Sequence, residues 1–252
     1  MTTVVARPRV TMDPRVRARR VAVSRAEGRR RLHRLVAGLG VVAAAGLAAA
    51  VVYSPLLAVD HVDVHGAGPL RAAVLGATHL GAGAPIVFVD SGGAAAAVRR
   101  LPAVESARVE RSFPHTVTVT VTRRVPVAWA TVPGGAALVD RHGVVIAHTA
   151  TPPIGLPELF GLTRIPTPGG LVAPTGPAAL AAALVPALPG RLVGVTLSPG
   201  GLIVGILGGP QLRFGDSTTL TVKAHTAAAL LGALTHPANY LDVSVPTAPV
   251  AG

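Results

Sequence analysis

The chain has 252 residues, with 23 Lys and Arg against 11 Asp and Glu, a net charge of +12 and no cysteine. The absent thiols exclude a disulfide framework, a thiolate zinc site and a cysteine nucleophile. The charge invites a nucleic-acid reading, because basic proteins neutralise phosphate, yet it is concentrated at one end. Residues 1–34 hold eleven arginines and two acids, Asp13 and Glu27, so this segment alone carries +9. It has no stacking aromatics and no folded module to place its arginines, so no nucleic-acid partner is expected.

In chain order, residues 1–34 read as a basic cytoplasmic tail, disordered or lying on anionic headgroups. Residues 35–57 read as a transmembrane helix. From Leu35 to Val59 there is no charged residue, and Leu35–Val52 reads LVAGLGVVAAAGLAAAVV. This run is apolar on every face, whereas a soluble core helix keeps a polar stripe. Extended to Tyr53 it spans roughly 28 Å, close to a bilayer core. Tyr53 suits the interfacial aromatic belt, and Pro55 ends the helix. The arginines before the span predict an N-terminus in the cytoplasm and everything after the span outside. The rival is a cleaved signal peptide, with Ala48-Ala49-Ala50 as the cleavage site. Its n-region would be 34 residues, and its apolar run is longer than such peptides use.

Residues 58–124 predict a β-α-α-β-β module. Val59–Val64 partly alternates as a strand does, and Leu70–Leu80 has helical spacing. Gly81-Ala82-Gly83 is expected to stop that helix, and Asp90 or Ser91 to cap the next one, which Pro102 follows. Val104–Arg111 alternates, Phe113-Pro114 turns, and Thr116–Thr122 is TVTVTVT, the cleanest period-2 strand in the chain. Residues 125–246 predict a mixed β-rich region, and 247–252 a C-terminal tail. Its strands are Val127–Thr131, Ala136–Asp140, Val144–His148, Arg191–Ser198, Gly201–Leu207, Gln211–Phe214 and Tyr240–Val245. Its helices are Ala178–Leu188, limited by Pro186, and Thr219–Leu234, with Leu220, Ala224, Ala227, Leu230, Leu231 and Leu234 on one face. Residues 151–177, rich in proline, read as loop.

Catalytic and metal chemistry find little support. Asp90-Ser91-Gly92 and Asp216-Ser217 echo hydrolase nucleophile segments, but each sits where a helix cap is wanted. His61 and His65 lie four apart on a strand, about 13 Å, too far for one ion. No His/Asp/Glu cluster has ligand spacing, and no glycine loop has the context to hold phosphate. Neither an enzyme nor a cofactor is expected. Glu105 and Glu110, alternating with Arg108 and Arg111, read as cross-strand surface pairing.

The order of several short segments resembles the FtsQ/DivIB family of bacterial cell-division proteins. The segments are Val62-Asp63-Val64-His65-Gly66, Leu101–Val109, Arg111–Val119, Arg123–Ala128 and Leu138–Gly143, then Leu212-Arg213-Phe214-Gly215, Lys223 and Tyr240–Pro246. Arg123-Arg124 departs from the usual Glu-Arg. The resemblance covers about residues 58–246 together with the basic tail and the single span. It implies an α+β fold: a disordered tail and one transmembrane helix, then a POTRA domain (the βααββ module) and a mixed β-rich domain. It also implies a non-enzymatic divisome scaffold at the septum of the plasma or inner membrane, linking early to late division proteins and binding FtsB/FtsL-like partners. An exported POTRA-containing binding module outside division is the alternative. The resemblance places the contact on the last strand and the helix before it, which selects Tyr240, Leu241, Asp242, Val243, Ser244, Val245 and Lys223. An unpaired last strand would offer its backbone groups to a partner strand. Leu241, Val243 and Val245 are expected to face the core, with Tyr240 free as an aromatic anchor.

Overall fold

The computed structural model describes residues 14–81 and 83–252, with side chains from His33 onward. It divides into two compact units, residues 1–58 and 59–252.

The first unit is built on one helix, α1 (Pro14–Val52). Its 20-residue stretch His33–Val52 contains an 18-residue window with a mean hydropathy of 2.4, and is long and apolar enough to cross a membrane. Beyond Val52 the backbone turns: Tyr53 N–H still donates to Ala49 O at 2.9 Å, and Ser54 Oγ donates to Val51 O at 2.8 Å. Pro55 then opens a short 3-10 turn, as a residue without an N–H must. The helix also runs back through residues 14–34, part of the basic segment expected to be disordered or to lie on anionic headgroups. Proline suits the first helical position, Arg and Ala are good helix formers, and no second proline intervenes before Pro55. Residues 1–13 of the tail lie outside the described residues.

The second unit holds two sheets. The first has strand order β1-β3-β2, with β1 (His61–His65) parallel to β3 (Thr116–Arg123) and β2 (Val104–Ser112) antiparallel to it. Helices α2 (Arg71–Thr78) and α3 (Ser91–Arg99) pack on each other and on β1 and β2. Val117, Val119 and Val121 of the TVTVTVT strand are buried, together with Val74, Ile86, Val98, Val104 and Val109. The threonines between them leave the opposite face polar. Asp90 caps α3 as expected, its Oδ1 accepting from Gly93 N–H at 2.9 Å. The stop of α2 comes earlier than its glycines suggest: His79 takes a left-handed φ of 49° directly after Thr78, and Ala82 is not among the described residues.

The second sheet has nine strands in the order β12-β11-β10-β9-β8-β7-β4-β5-β6. An antiparallel meander, β4 (Pro126–Val132), β5 (Gly135–Asp140) and β6 (Val145–Thr149), forms one end. A second, β8 (Leu192–Ser198), β9 (Gly201–Ile206) and β10 (Gln211–Gly215), forms most of the other. They are joined by β7 (Glu158–Phe160), parallel to both β4 and β8. The stretch 151–177 therefore contains a central strand, not only loop. Three residues between prolines carry too little alternation to show it, and its identity comes from pairing on both sides.

Helices α4 (Gly176–Leu184) and α5 (Leu220–Ala233) cover one face of this sheet. Leu180, Leu184, Ala224 and Ala227 meet Val139, Val195, Val204, Leu212 and Phe214 in one apolar core. The two sheets are linked by ion pairs. Arg124 Nη1 lies 2.5 Å from Asp140 Oδ2, and Glu105 accepts from Arg141. Glu105 thus serves this junction instead of pairing across β2, while Arg108 meets Glu110 at 3.6 Å on the same strand. Arg111 donates to the backbone of Val87.

Candidate functional site

The residues selected on the last strand gather at one end of the large sheet. β11 (Tyr240–Asp242) runs parallel to β10, with Gln211 opposite Tyr240, Leu212 opposite Leu241 and Arg213 opposite Asp242. Leu241 and Val243 are buried, as expected of inward-facing positions. Tyr240 and Asp242 are half-buried on the other face, which α4 and α5 do not cover.

The strand is shorter than its sequence pattern suggests. Asp242 Oδ1 accepts from Ser244 N–H at 2.9 Å, an Asx turn that bends the chain out of the sheet. Val243 N–H still reaches Arg213 O at 2.8 Å, but Ser244 is exposed and Val245 lies 54% exposed instead of facing the core. The Ser244 hydroxyl first, and then the Ser244 N–H, hold the Asp242 carboxyl below its ordinary range, with help from the charges of Arg213 and Lys223.

Tyr240 is not a free aromatic. The Arg213 guanidinium lies 4.1 Å from its ring centroid, close enough for a cation–π contact. Arg213 belongs to the Leu212-Arg213-Phe214-Gly215 segment but not to the site residues expected from the sequence. The signal was present in Leu212-Arg213-Phe214, whose alternation puts Arg213 on the face opposite two core residues.

The outer edge of β11 is also occupied. β12 (Val250–Ala251) pairs antiparallel with it, Leu241 opposite Ala251 and Asp242 opposite Val250. The sequence predicts a tail over 247–252 and an open edge at β11, whereas residues 250–251 close that edge. A two-residue strand after two prolines is too short to register as periodicity.

Lys223 does not belong to this surface. Its side chain is 2% exposed, and its ammonium donates to Phe214 O at 2.9 Å, Asp216 O at 3.2 Å and Asp216 Oδ1 at 2.6 Å. It ties the β10–α5 connection together from inside. The Asp216 carboxyl is lowered to about 2 by this bond, with further bonds from the Thr218 hydroxyl and N–H. Asp216 and Ser217 therefore do not cap α5; the position before the helix is Thr219, at φ 48° and with no side-chain cap.

No hydrolytic arrangement forms at the other serine segment. Ser91 Oγ is buried without a hydrogen-bond partner, so no histidine serves it as a base. Among the described residues no group of three His, Asp or Glu side chains could hold a metal ion.

Comparison with known proteins agrees with this architecture. Residues 57–124 match the family model described as POTRA domain, FtsQ-type. The chain is 32% identical over 248 residues to the cell division protein FtsQ of Streptomyces collinus, covering 90% of this chain and 91% of that protein. The chain belongs to the FtsQ family. It is also 33% identical over 210 residues to FtsQ of Mycobacteroides abscessus, and 31% over 222 residues to FtsQ of Mycolicibacterium smegmatis. These matches cover 82% and 84% of this chain but only 65% and 62% of the two mycobacterial proteins, so the chain spans less than two thirds of their length. FtsQ proteins are non-enzymatic division proteins, and the chain pairs an FtsQ-type POTRA module with, among the described residues, one candidate membrane helix.

Proposed function

We propose that the chain is a divisome scaffold that joins early to late division proteins by binding FtsB/FtsL-like partners at the β10–β11 end of the large sheet. In this reading α1 crosses the plasma membrane once. The arginine-rich segment stays in the cytoplasm, and both sheets lie outside, at the septum. The observation that supports the reading best is the position of β11: next to last in a nine-stranded sheet, with only two residues of strand beyond it. A sheet end of this kind can take a partner strand, whose backbone supplies affinity and whose alternate side chains supply specificity. Tyr240, Asp242 and the neighbouring Arg213 offer an aromatic, an acidic and a basic group on one face, and Ser244 and Val245 extend the accessible surface. Lys223 contributes indirectly, by fixing the end of β10.

Co-purification of membrane-embedded chain with its FtsB- and FtsL-like partners tests the reading. Tyr240→Ala should abolish the association while leaving the thermal melt unchanged, and undiminished co-purification would refute the site. Orientation is tested separately. Because the chain has no cysteine, single cysteines at Thr2 and Ser198 can be labelled with a membrane-impermeant maleimide on intact cells. Labelling at Ser198 alone is expected; labelling at Thr2 would reverse the topology.

A further inference from the structure

The three residues Val250–Gly252 beyond β11 have an unusual way of staying in place. Gly252 O accepts from Asn239 N–H at 2.7 Å and from Tyr240 N–H at 2.9 Å, and Gly252 N–H returns to Tyr240 O at 3.2 Å. None of their side chains is buried: Val250 is 56% exposed, and Ala251 and Gly252 are exposed as well. β11, in contrast, is anchored by Leu241 and Val243, at 1% and 0% exposure. The outer strand is therefore held by backbone bonds and surface contacts, without a buried side chain, where β11 is held by bonds and core packing. It is tethered by residues 244–249, which include Pro246, Pro249 and a turn closed by Ala248 N–H to Val245 O at 3.1 Å. A short tether keeps the segment at high local concentration near the edge.

Gly252 also lies close beside the Tyr240 side chain. A Cβ built there would sit 2.8 Å from Cε1, Cζ and Oη of the ring. The segment thus covers both the backbone of Tyr240 and the phenol end of its side chain. It blocks the two features that a partner strand would need at this edge.

We infer that Val250–Gly252 is a displaceable strap, which closes the β11 edge in the free chain and yields it to a partner strand of extended conformation. The inference rests on the proposed partner site and gives it a regulation. The strap also answers a second need. An open edge pairs indiscriminately, and a cover without buried side chains prevents this while remaining weak enough to be replaced. The incoming strand has to supply what the strap gives up: a carbonyl for the Tyr240 N–H and contact with the Tyr240 ring. A basic side chain placed against Asp242 would add charge complementarity.

The test uses the full chain in nanodiscs and the external segments of the FtsB/FtsL-like pair from the same organism. Amide exchange is read by NMR at Tyr240, which donates to the strap, and at Val243, which donates to β10. Exchange about 100-fold faster at Tyr240 is expected, and equal protection would overturn the strap. Binding is then compared for the wild-type chain, a chain lacking residues 249–252, Gly252→Val and Tyr240→Ala. Deletion and Gly252→Val should each tighten binding about tenfold by removing the competitor, and an unchanged thermal melt shows that the sheet is intact. If Tyr240→Ala weakens binding but the deletion leaves it unchanged, the site stands and the strap is wrong. Weaker binding on deletion also overturns the strap, because the partner would then be pairing with β12 itself. If Tyr240→Ala binds like wild type, the site reading fails and takes the strap with it.

Discussion

Lys223 reaches from α5 to Asp216 with its ammonium 2.6 Å from Oδ1, and it is the buried member of the pair: 2% exposed against 66% for Asp216. The asymmetry decides what each side chain is worth. The lysine also satisfies Phe214 O and Asp216 O, so it works as an internal brace for the loop between β10 and α5. Removing it leaves a buried carbonyl without a donor. Lys223→Met should therefore destabilise the chain by about 2–4 kcal/mol, counting lost bonds to a charged donor and the stranded acceptor. Urea denaturation would check the value. A change near zero would mean that the loop is held by other contacts.

Asp216 should appear in the pH dependence instead. Its carboxyl is lowered to about 2 by Lys223 and Thr218, below its ordinary unfolded value of about 3.9. A lowered acid contributes stability that is present above the unfolded pKa and is lost as pH falls through the folded one. Stability should thus decline between about pH 4 and pH 2, and Asp216→Asn should flatten that part of the curve. The exposure of Asp216 keeps the effect small, because solvent screens the pair. Equilibrium unfolding across this range, wild type against variant, reads the difference.

The junction between the two sheets is a stronger case. Asp140 is 2% exposed; its Oδ2 meets Arg124, and its Oδ1 accepts from His142 N–H at 2.9 Å and Val144 N–H at 2.7 Å. One carboxylate therefore closes the β5–β6 turn and receives the arginine that follows β3. Arg124→Leu would leave that charge buried and unpaired, with an expected cost of about 3–5 kcal/mol in denaturant titrations. Asp140→Asn should cost less, since its amide oxygen can still accept the turn bonds.

Much of this fold was legible in the sequence, and the exceptions share a cause. TVTVTVT, the Asp90 cap and the inward positions of Leu241 and Val243 were readable because each expresses a local rule: period 2, a cap before a helix, alternation on a strand. β7 and β12 were not. Each is two or three residues long, lies among prolines, and shows itself only through pairing: β7 with strands roughly 30 residues away on either side, β12 with β11 across a proline-containing turn. The fate of Lys223 was hidden for a related reason. A lysine on a helix is ordinarily solvated, and only the approach of Phe214 O and Asp216 makes an interior place for it.

At the partner edge, the Arg213–Tyr240 stack predicts a graded series. Tyr240→Phe keeps the ring and should retain binding within about threefold, whereas Tyr240→Ala removes a central aromatic of the kind that commonly contributes 2 kcal/mol or more, about 30-fold. Arg213→Ala should fall between them, because the ring stays but loses its cation. Titration of each membrane-embedded variant with the FtsB/FtsL-like pair gives the order. Equal affinity for all three would show that the partner does not touch this face.

The central claim, that division partners dock at the β11 end of the sheet, is tested most directly by photocrosslinking in dividing cells. A photoreactive residue is placed at Ser244, exposed beside β11, or at His148, exposed on β6 at the far edge. The account predicts crosslinks to an FtsB- or FtsL-like protein from position 244 and none from 148. Crosslinks from 148 with none from 244 would contradict it.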